Sequence, residues 1–435
     1  MADLYLLILS LSLLGYAVLG KGFAYIGIHN IYIGEILLAL GIYTLVYIWI
    51  KRRLRIKLSL FKMPITYLVL ALVVWGGIRT IPYLPQYGLH ALRDAVIWGY
   101  SFFSIIVAVI IIDKPTRMKV LIKYYAIYTT VYITIVPISI IIARVFGNQL
   151  PKIPGTDIPI IYLKPGDVLV QLSGVTAFVL VGLNSPSVSR LLMIALVFVF
   201  VAFENRAGML SYLVSAFIVL MLKPLGRGPW RLIGMAVLAL GILWSTGIEI
   251  DMGRRQLSFN QIIQNVESIF TATTDAKLES TKEWRLEWWR HIVEYTIHGK
   301  YLWYGKGFGI NLADDDGFQV FRDHSLRSPH NAHLNILART GVPGLLLWSM
   351  VQISWAIYMF IYYVMSRMSG RTQWSRIFLF LLACWSAYIV NASFDVFLEG
   401  PVGGIWFWVI YGTGMAAIII YKNQPEIINN KEVVK

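Results

Sequence analysis

The sequence predicts an all-α, polytopic membrane protein with about twelve transmembrane helices and one long extracytoplasmic loop that contains short helices. Three observations carry this reading. The 435 residues are 57% hydrophobic and only 14% charged, against about 25% charged in ordinary soluble domains. Apolar runs long enough to cross about 30 Å of hydrocarbon recur from one end of the chain to the other. The basic residues between those runs collect on alternate loops, as topology requires.

In order, the expected spans are 4–20, 31–50, 64–78, 95–112, 120–143, 168–183, 190–203, 207–222, 231–248, 342–365, 377–395 and 402–421. The chain therefore divides into nine spans over 1–248, a large loop over 249–341, three spans over 342–421 and a tail over 422–435. If the N-terminus is cytoplasmic, the inner loops and tail hold 19 Lys and Arg residues, among them Lys51, Arg52, Lys114, Arg117, Arg190, Arg367 and Lys422. The short outer loops hold 7: Lys21, Arg79, Arg93, Arg144, Lys152, Lys164 and Arg206. This bias puts both termini in the cytoplasm and 249–341 outside. Met1 to Gly20 has neither a basic leader nor a small-residue cleavage site, so it is expected to stay as the first helix.

Glu204, Asn205 and Arg206 interrupt a stretch that hydropathy alone would merge. The runs 190–203 and 207–222 are read as a helical hairpin whose tip places Arg206 at or just below the outer surface. A charge at that depth is costly unless it is paired or lines a polar cavity. Within the long loop, Ser280-Thr-Lys-Glu283 has capping-box spacing and Gly299 supplies a stop, which predicts a helix over 281–298. Trp284, Trp288, His291 and Tyr295 then share one face, with Arg285 and Trp289 on the neighbouring stripe. A second helix is expected to start near Ser328-Pro329-His330 and to run on into the tenth span.

The net charge of +15 does not point to nucleic acid, because the cations alternate with apolar spans instead of lining one face. The single cysteine, Cys384, lies inside an apolar run, so neither a disulfide framework nor a thiolate metal cluster is available. Gly305-Lys-Gly307-Phe-Gly309 follows no strand and lacks the Lys-Ser/Thr of a phosphate-binding loop, so it reads as a tight turn. Asp314-Asp315-Asp316-Gly317 lacks the later bidentate glutamate of a calcium loop and reads as a solvated turn.

The residues that point to chemistry are His330, Arg206 and Arg285, with His333, Asn331, Trp288, Trp289 and Arg339 as secondary candidates. An imidazole can act as a general base near neutrality. A guanidinium is permanently charged and forks onto phosphate oxygens, which suits a lipid-linked pyrophosphate at a membrane surface. Indole rings can stack on sugars or anchor at the interface. His330 and His333 share a helical face but lack a third ligand at a defined spacing, so no metal site is assigned.

Three stretches in order then resemble the bacterial O-antigen ligase and O-antigen polymerase superfamily of integral-membrane glycosyltransferases. Asn205-Arg206-Ala207-Gly208 looks like its Ser-Arg-Gly signature, with Asn205 where Ser is usual and Ala207 where Gly is usual. Arg285 to Trp289, followed by Gly305-Lys-Gly307-Phe-Gly309, is similar to its Arg-and-Trp segment and its Gly-x-Gly-Phe-Gly. His330-Asn331-Ala-His333-Leu334, with Gly341 and Gly344 behind it, resembles its His-Asn-x-x-Leu…Gly-x-x-Gly block. The likeness covers roughly 200 to 350.

The resemblance implies transfer of a glycan from undecaprenyl pyrophosphate to an acceptor hydroxyl, such as that of lipid A-core, on the periplasmic side of the bacterial inner membrane. By position, His330 would be the general base, with Glu204 as the acidic alternative, and Arg206 and Arg285 would hold the departing pyrophosphate. No cofactor or metal is expected, and the partners are the lipid-linked donor, the acceptor and membrane lipids. A polymerase that lengthens the glycan on its carrier would use the same residues. A secondary transporter, the reading from another class, would place ionisable groups near the bilayer midplane and show repeated halves, and the sequence shows neither.

Overall fold

The computed structural model describes residues 1–28, 31–52, 60–223, 227–246, 250–251, 256–257 and 276–428. Arg53, Arg55, Lys57, Lys431, Lys435, the end of the span expected at 231–248 and most of 249–275 lie outside the described residues. The long helices are α1 (Ala2–Leu19), α2 (Ile33–Arg52), α3 (Pro64–Thr80), α4 (Leu89–Gly99), α5 (Phe102–Asp113), α6 (Arg117–Val145) and α7 (Pro165–Leu180). They continue as α8 (Val188–Ala202), α9 (Arg206–Leu222), α10 (Arg227–Thr246), α11 (Ala276–Ile297), α12 (Ala332–Met368), α13 (Thr372–Ala392) and α14 (Pro401–Asn423). Two ribbons with strands of two residues each, 27–28 with 31–32 and 250–251 with 256–257, are the only paired strands among the described residues.

Every expected span coincides with a helix, but their capacity to cross a membrane differs. Seven helices, α1, α2, α3, α6, α12, α13 and α14, are long and apolar enough, and α4 with α5 makes an eighth if the bent pair is one span. The helices α7, α8 and α9 are apolar but only 16, 15 and 17 residues long. The continuous span expected at 95–112 is therefore corrected to two helices that meet at 45°. Gly99 and Ser101, poor helix formers, sit at the bend.

The helices α13 and α14 are largely enclosed, whereas α2 faces mostly outward. The first of these, α13, packs against α7, α9 and α12, while α14 lies along α5. Several buried polar side chains find partners between helices, which an apolar surround favours. The Trp355 indole donates to the Tyr411 carbonyl at 3.0 Å, and Trp406 to Leu13 at 2.9 Å. The Gln171 amide donates to the Tyr388 hydroxyl at 2.9 Å and accepts from Tyr128 at 3.1 Å, which joins α6, α7 and α13.

In the loop region, α11 begins at Ala276, so Ser280 lies inside the helix and the expected capping-box start is corrected. Ala276, Lys277, Leu278 and Glu279 are all good helix formers and extend the helix upstream. The expected face forms: the Trp284 and Trp288 rings meet at 5.3 Å, His291 and Tyr295 at 5.3 Å, and Trp288 stacks on Phe318 at 5.5 Å. Together with Ile292, Leu312, Leu326 and Leu337, Trp288 makes a small core that fastens this region to the start of α12. That helix begins under an Asn331 cap and breaks at Gly341, whose φ of 69° favours glycine, before continuing past Pro343.

Asp94 on α4 ties the distant pieces together. Its carboxylate accepts from Arg327 and pairs with Arg339, both at 3.0 Å, and accepts from the Gly309 backbone N–H at 3.0 Å. Arg339 also donates to Asn335 at 2.8 Å and to the Gly307 and Ile310 carbonyls. The glycine-rich turn is thus a structural strap across α4 and α12. Asp94→Ala, which leaves two guanidiniums without their carboxylate, is expected to cost about 3–5 kcal/mol. Thermal unfolding of the detergent-solubilised protein is the check, and an unchanged midpoint would show that Asp94 is not the tie.

Candidate functional site

His330 sits just ahead of α12 with a left-handed backbone, φ 53°, which an L side chain adopts only when its surroundings impose it. The next residue does part of the imposing. The Asn331 side chain accepts from the backbone N–H groups of His333 and Leu334, at 3.0 and 3.1 Å, and caps the helix. On the other flank, the Trp289 indole donates to the Pro329 carbonyl at 2.8 Å. His330 is therefore held at a bend between two anchored neighbours.

Its partner comes from the far side of the chain. His330 Nδ1 lies 3.4 Å from Asp395 Oδ1, in the turn that follows α13, and the Val396 N–H donates to the same oxygen at 2.8 Å. Burial pushes the Asp395 carboxyl upward, but the His330 hydrogen bond and the Lys164 ammonium outweigh it, and the group ends at about 2. A carboxylate facing Nδ1 favours the tautomer with the proton there, which leaves the Nε2 lone pair free to accept a proton. The His330 side chain keeps 27% of its surface exposed.

Arg285 reaches this pair, and Arg206 stands beside Arg285. Arg285, on α11, donates through Nη1 to the Phe394 carbonyl at 3.0 Å, so it grips the residue before Asp395. Its buried Nε has no hydrogen-bond partner among the described residues. Burial and the like charge of Arg206 press its guanidinium downward, whereas Asp395 supports it. Arg206 opens α9 behind the Asn205 cap, whose side chain accepts from the Gly208 N–H at 2.7 Å. Gly208 packs so tightly on α7 that a Cβ there would come 2.9 Å from the Gly166 Cα. Bulk at either glycine would push the arginine out of place.

Residues 191–349 match the family described as O-antigen ligase. That stretch is similar to an O-antigen ligase domain. The match supports the O-antigen ligase and polymerase superfamily, whose members are glycosyltransferase-like enzymes of lipopolysaccharide synthesis. No curated protein matches the sequence significantly. The matched stretch contains Arg206, Arg285, His330, His333 and Arg339, and it ends before Asp395.

The other residues singled out from the sequence are engaged in contacts of their own. His333 accepts at Nδ1 from the Trp348 indole at 2.9 Å and meets Ser393 Oγ through Nε2 at 3.1 Å. Indole only donates, so the His333 proton sits on Nε2 and both nitrogens are spent. Trp288 is fully buried and donates to Asp316 at 2.7 Å, which removes it as a sugar platform. Arg339, 1% exposed, belongs to the Asp94 tie. Glu204, the alternative base, is ion-paired with Arg144. Asp315 and Asp316 pair with Lys306, and Asp314 with His324 at 2.7 Å, so the acidic turn is braced internally and is not merely solvated.

Glu399 lies beneath the site. Burial drives its carboxyl up to about 7, with Asp94 adding to the shift and Ser328, Arg339 and Asn335 opposing it. Because the folded chain disfavours the charged form, the stability Glu399 contributes is fully present below 4.5, its ordinary value, and is lost as pH rises through 7. Glu399→Gln is therefore expected to flatten the decline in thermal midpoint between about pH 4 and about pH 8. A wild-type slope in the variant would remove Glu399 from that role. The strain at His330 gives a second expectation. His330→Gly should be more stable than His330→Ala by about 1 kcal/mol, since only glycine adopts positive φ without cost. Equal midpoints for the two would mean that the bend relaxes when the imidazole is lost.

Proposed function

We propose that the chain is an O-antigen ligase-type glycosyltransferase that moves a glycan from undecaprenyl pyrophosphate to a hydroxyl of lipid A-core. It would be a multi-pass protein of the inner membrane with both termini cytoplasmic, and the site would open to the periplasm. The observation that carries the reading is the convergence of His330 and Asp395 with Arg206 and Arg285 at one end of the helices. A base with its orienting carboxylate stands beside two guanidiniums, and glycosyl transfer from a diphosphate needs both halves.

In the reaction the acceptor hydroxyl oxygen attacks the anomeric carbon of the donor glycan. A carbon–oxygen bond to the acceptor forms, and the bond from the anomeric carbon to the phosphate oxygen breaks. The departing electron pair goes to the pyrophosphate, whose added charge meets the arginines. The hydroxyl proton goes to His330 Nε2, and Asp395 stabilises the imidazolium through Nδ1. The pyrophosphate is already an activated leaving group, so guanidiniums can supply the charge that a divalent cation supplies elsewhere, and no cofactor is called for. Trp289 acts by holding Pro329 and hence the bend that presents His330.

The test is reconstitution of the purified chain with a lipid-linked glycan and one of two acceptors, lipid A-core or a second lipid-linked repeat. The reading expects consumption of lipid A-core. Elongation on the lipid carrier alone would reassign the chain as a polymerase, and solute movement into liposomes with no transfer would reassign it as a transporter. His330→Ala is expected to lose about 10²- to 10⁴-fold in rate. His333→Ala should be milder, because its nitrogens are already committed to Trp348 and Ser393. The reverse ranking would overturn the assignment of the base.

A further inference from the structure

Lys164 belongs to none of the motifs, yet it lies at the same place. It is the N-cap residue of α7, directly before Pro165. The first turn of α7 lies against the first turn of α9: a Cβ on Gly166 would meet the Asn205 side chain at 3.2 Å, and one on Gly208 would meet Gly166 at 2.9 Å. Lys164 and Arg206 thus stand at the heads of two helices of 16 and 17 residues whose N-terminal ends touch. Each end carries partial positive charge from its free N–H groups.

The geometry points to Lys164 as a third cation of the phosphate-binding group, which with Arg206 and Arg285 holds the diphosphate of the lipid-linked donor. This rests on the reading of the site given above. The electrostatic neighbours are consistent with one cluster: Lys164 interacts with Asp395, Asp167 and Glu399, and Arg285 with Asp395 and Arg206. The simpler role, counter-ion to Asp395, leaves an excess. Asp395 already accepts from His330 and from the Val396 N–H. Lys164 makes no hydrogen bond to it among the described residues, and the other carboxylates it faces, Asp167 and Glu399, are both pushed upward by burial. Three cations and two helix N-termini face three carboxylates, and burial disfavours the charged form of two of them, which leaves positive charge that an anionic group would complement. The chemistry also divides naturally. A guanidinium forks across two oxygens, whereas an ammonium is a compact point charge suited to one oxygen of a neighbouring phosphate.

The experiment uses the full-length protein in detergent micelles and follows transfer as donor and acceptor are varied separately, for Lys164→Gln, Lys164→Arg, Arg206→Gln and His330→Ala. Lys164→Gln is expected to raise the donor KM by about tenfold to a hundredfold. Acceptor KM and the pH profile of kcat should stay as in wild type, and Lys164→Arg should recover most of the loss. A normal donor KM with a lowered kcat and a shifted pH profile would mean that Lys164 acts only through Asp395 and would overturn the assignment. Wild-type behaviour of Lys164→Gln would do the same. If Arg206→Gln and His330→Ala are themselves unimpaired, the reading of the site fails whatever Lys164 does. If they are impaired and Lys164→Gln is not, only the inference about Lys164 fails. A second readout needs no variant: undecaprenyl pyrophosphate, but not the acceptor, should protect Lys164 of the wild-type chain from an amine-acylating reagent, followed by mass spectrometry. Equal labelling with and without it would count against the inference even if Lys164→Gln does not fold.

Discussion

Two side chains one helical turn apart on α11 hold the site together. Trp289 takes the Pro329 carbonyl and Arg285 takes the Phe394 carbonyl, and these are the residues immediately before His330 and Asp395. Residues four apart on a helix project in the same direction, so a single rigid rod fixes the spacing of two loops that are 65 positions apart in sequence. Neither loop has a sheet or a disulfide to set its position. The rod is itself set by the Trp288 core and the Lys306 ties to Asp315 and Asp316. The Asp94 tie then fixes the start of α12 to α4.

The strained backbone at His330 follows from that arrangement. A positive φ on a non-glycine residue costs about 1–3 kcal/mol and persists only where the surroundings over-determine it. Here the carbonyl before the bend is bound by Trp289, and the helix after it is capped by Asn331 and pinned through His333 to Trp348 and Ser393. Ser393 passes the connection to the end of α13, where the Asp395 turn begins. The two histidines of the motif therefore divide the work. His333 spends both nitrogens joining α12 to α13, and His330 is left with one nitrogen on Asp395 and one free.

The helices were legible because hydropathy needs no tertiary information, and each expected span coincides with a helix except 95–112, which divides between α4 and α5. Their ends and breaks were less so. The bend at Gly99 to Ser101 lies inside an unbroken apolar run, and the start of α11 was hidden because Ser280 can cap a helix or sit within one. Arg206, Arg285 and His330 were visible as motif residues, and the Asn205 departure from Ser is now understandable because both side chains cap a helix. Asp395 was invisible for a physical reason. A lone acid after an apolar helix resembles any solvated helix end until the fold brings His330 to it. Lys164 and Asp94 were lost in the same way, counted as loop charges or passed over. Trp288 and Arg339 misled in the opposite direction, because indole and guanidinium serve buried cores and ion ties as readily as they serve ligands.

The two arginines, alike in charge and close to one another, differ in what the protein asks of them. Arg285 spends one N–H on the Phe394 carbonyl, so replacing it disturbs the Asp395 turn as well as any anion it touches. Lysine there keeps the charge but cannot reach two groups at a fixed angle. Arg206 makes no hydrogen bond or ion pair among the described residues, and its position is set by its own helix end through Asn205 and Gly208. The geometry of the base is thus nearly independent of the Arg206 side chain and strongly dependent on that of Arg285. On the proposed function, a loss measured at Arg206 would report the charge delivered to the leaving group, whereas one at Arg285 would combine that charge with the placement of the carboxylate behind His330. In that proposal acid–base geometry is coupled to anion binding through a single guanidinium, because only a planar fork on a rigid helix can hold the Phe394 carbonyl and still present a free N–H.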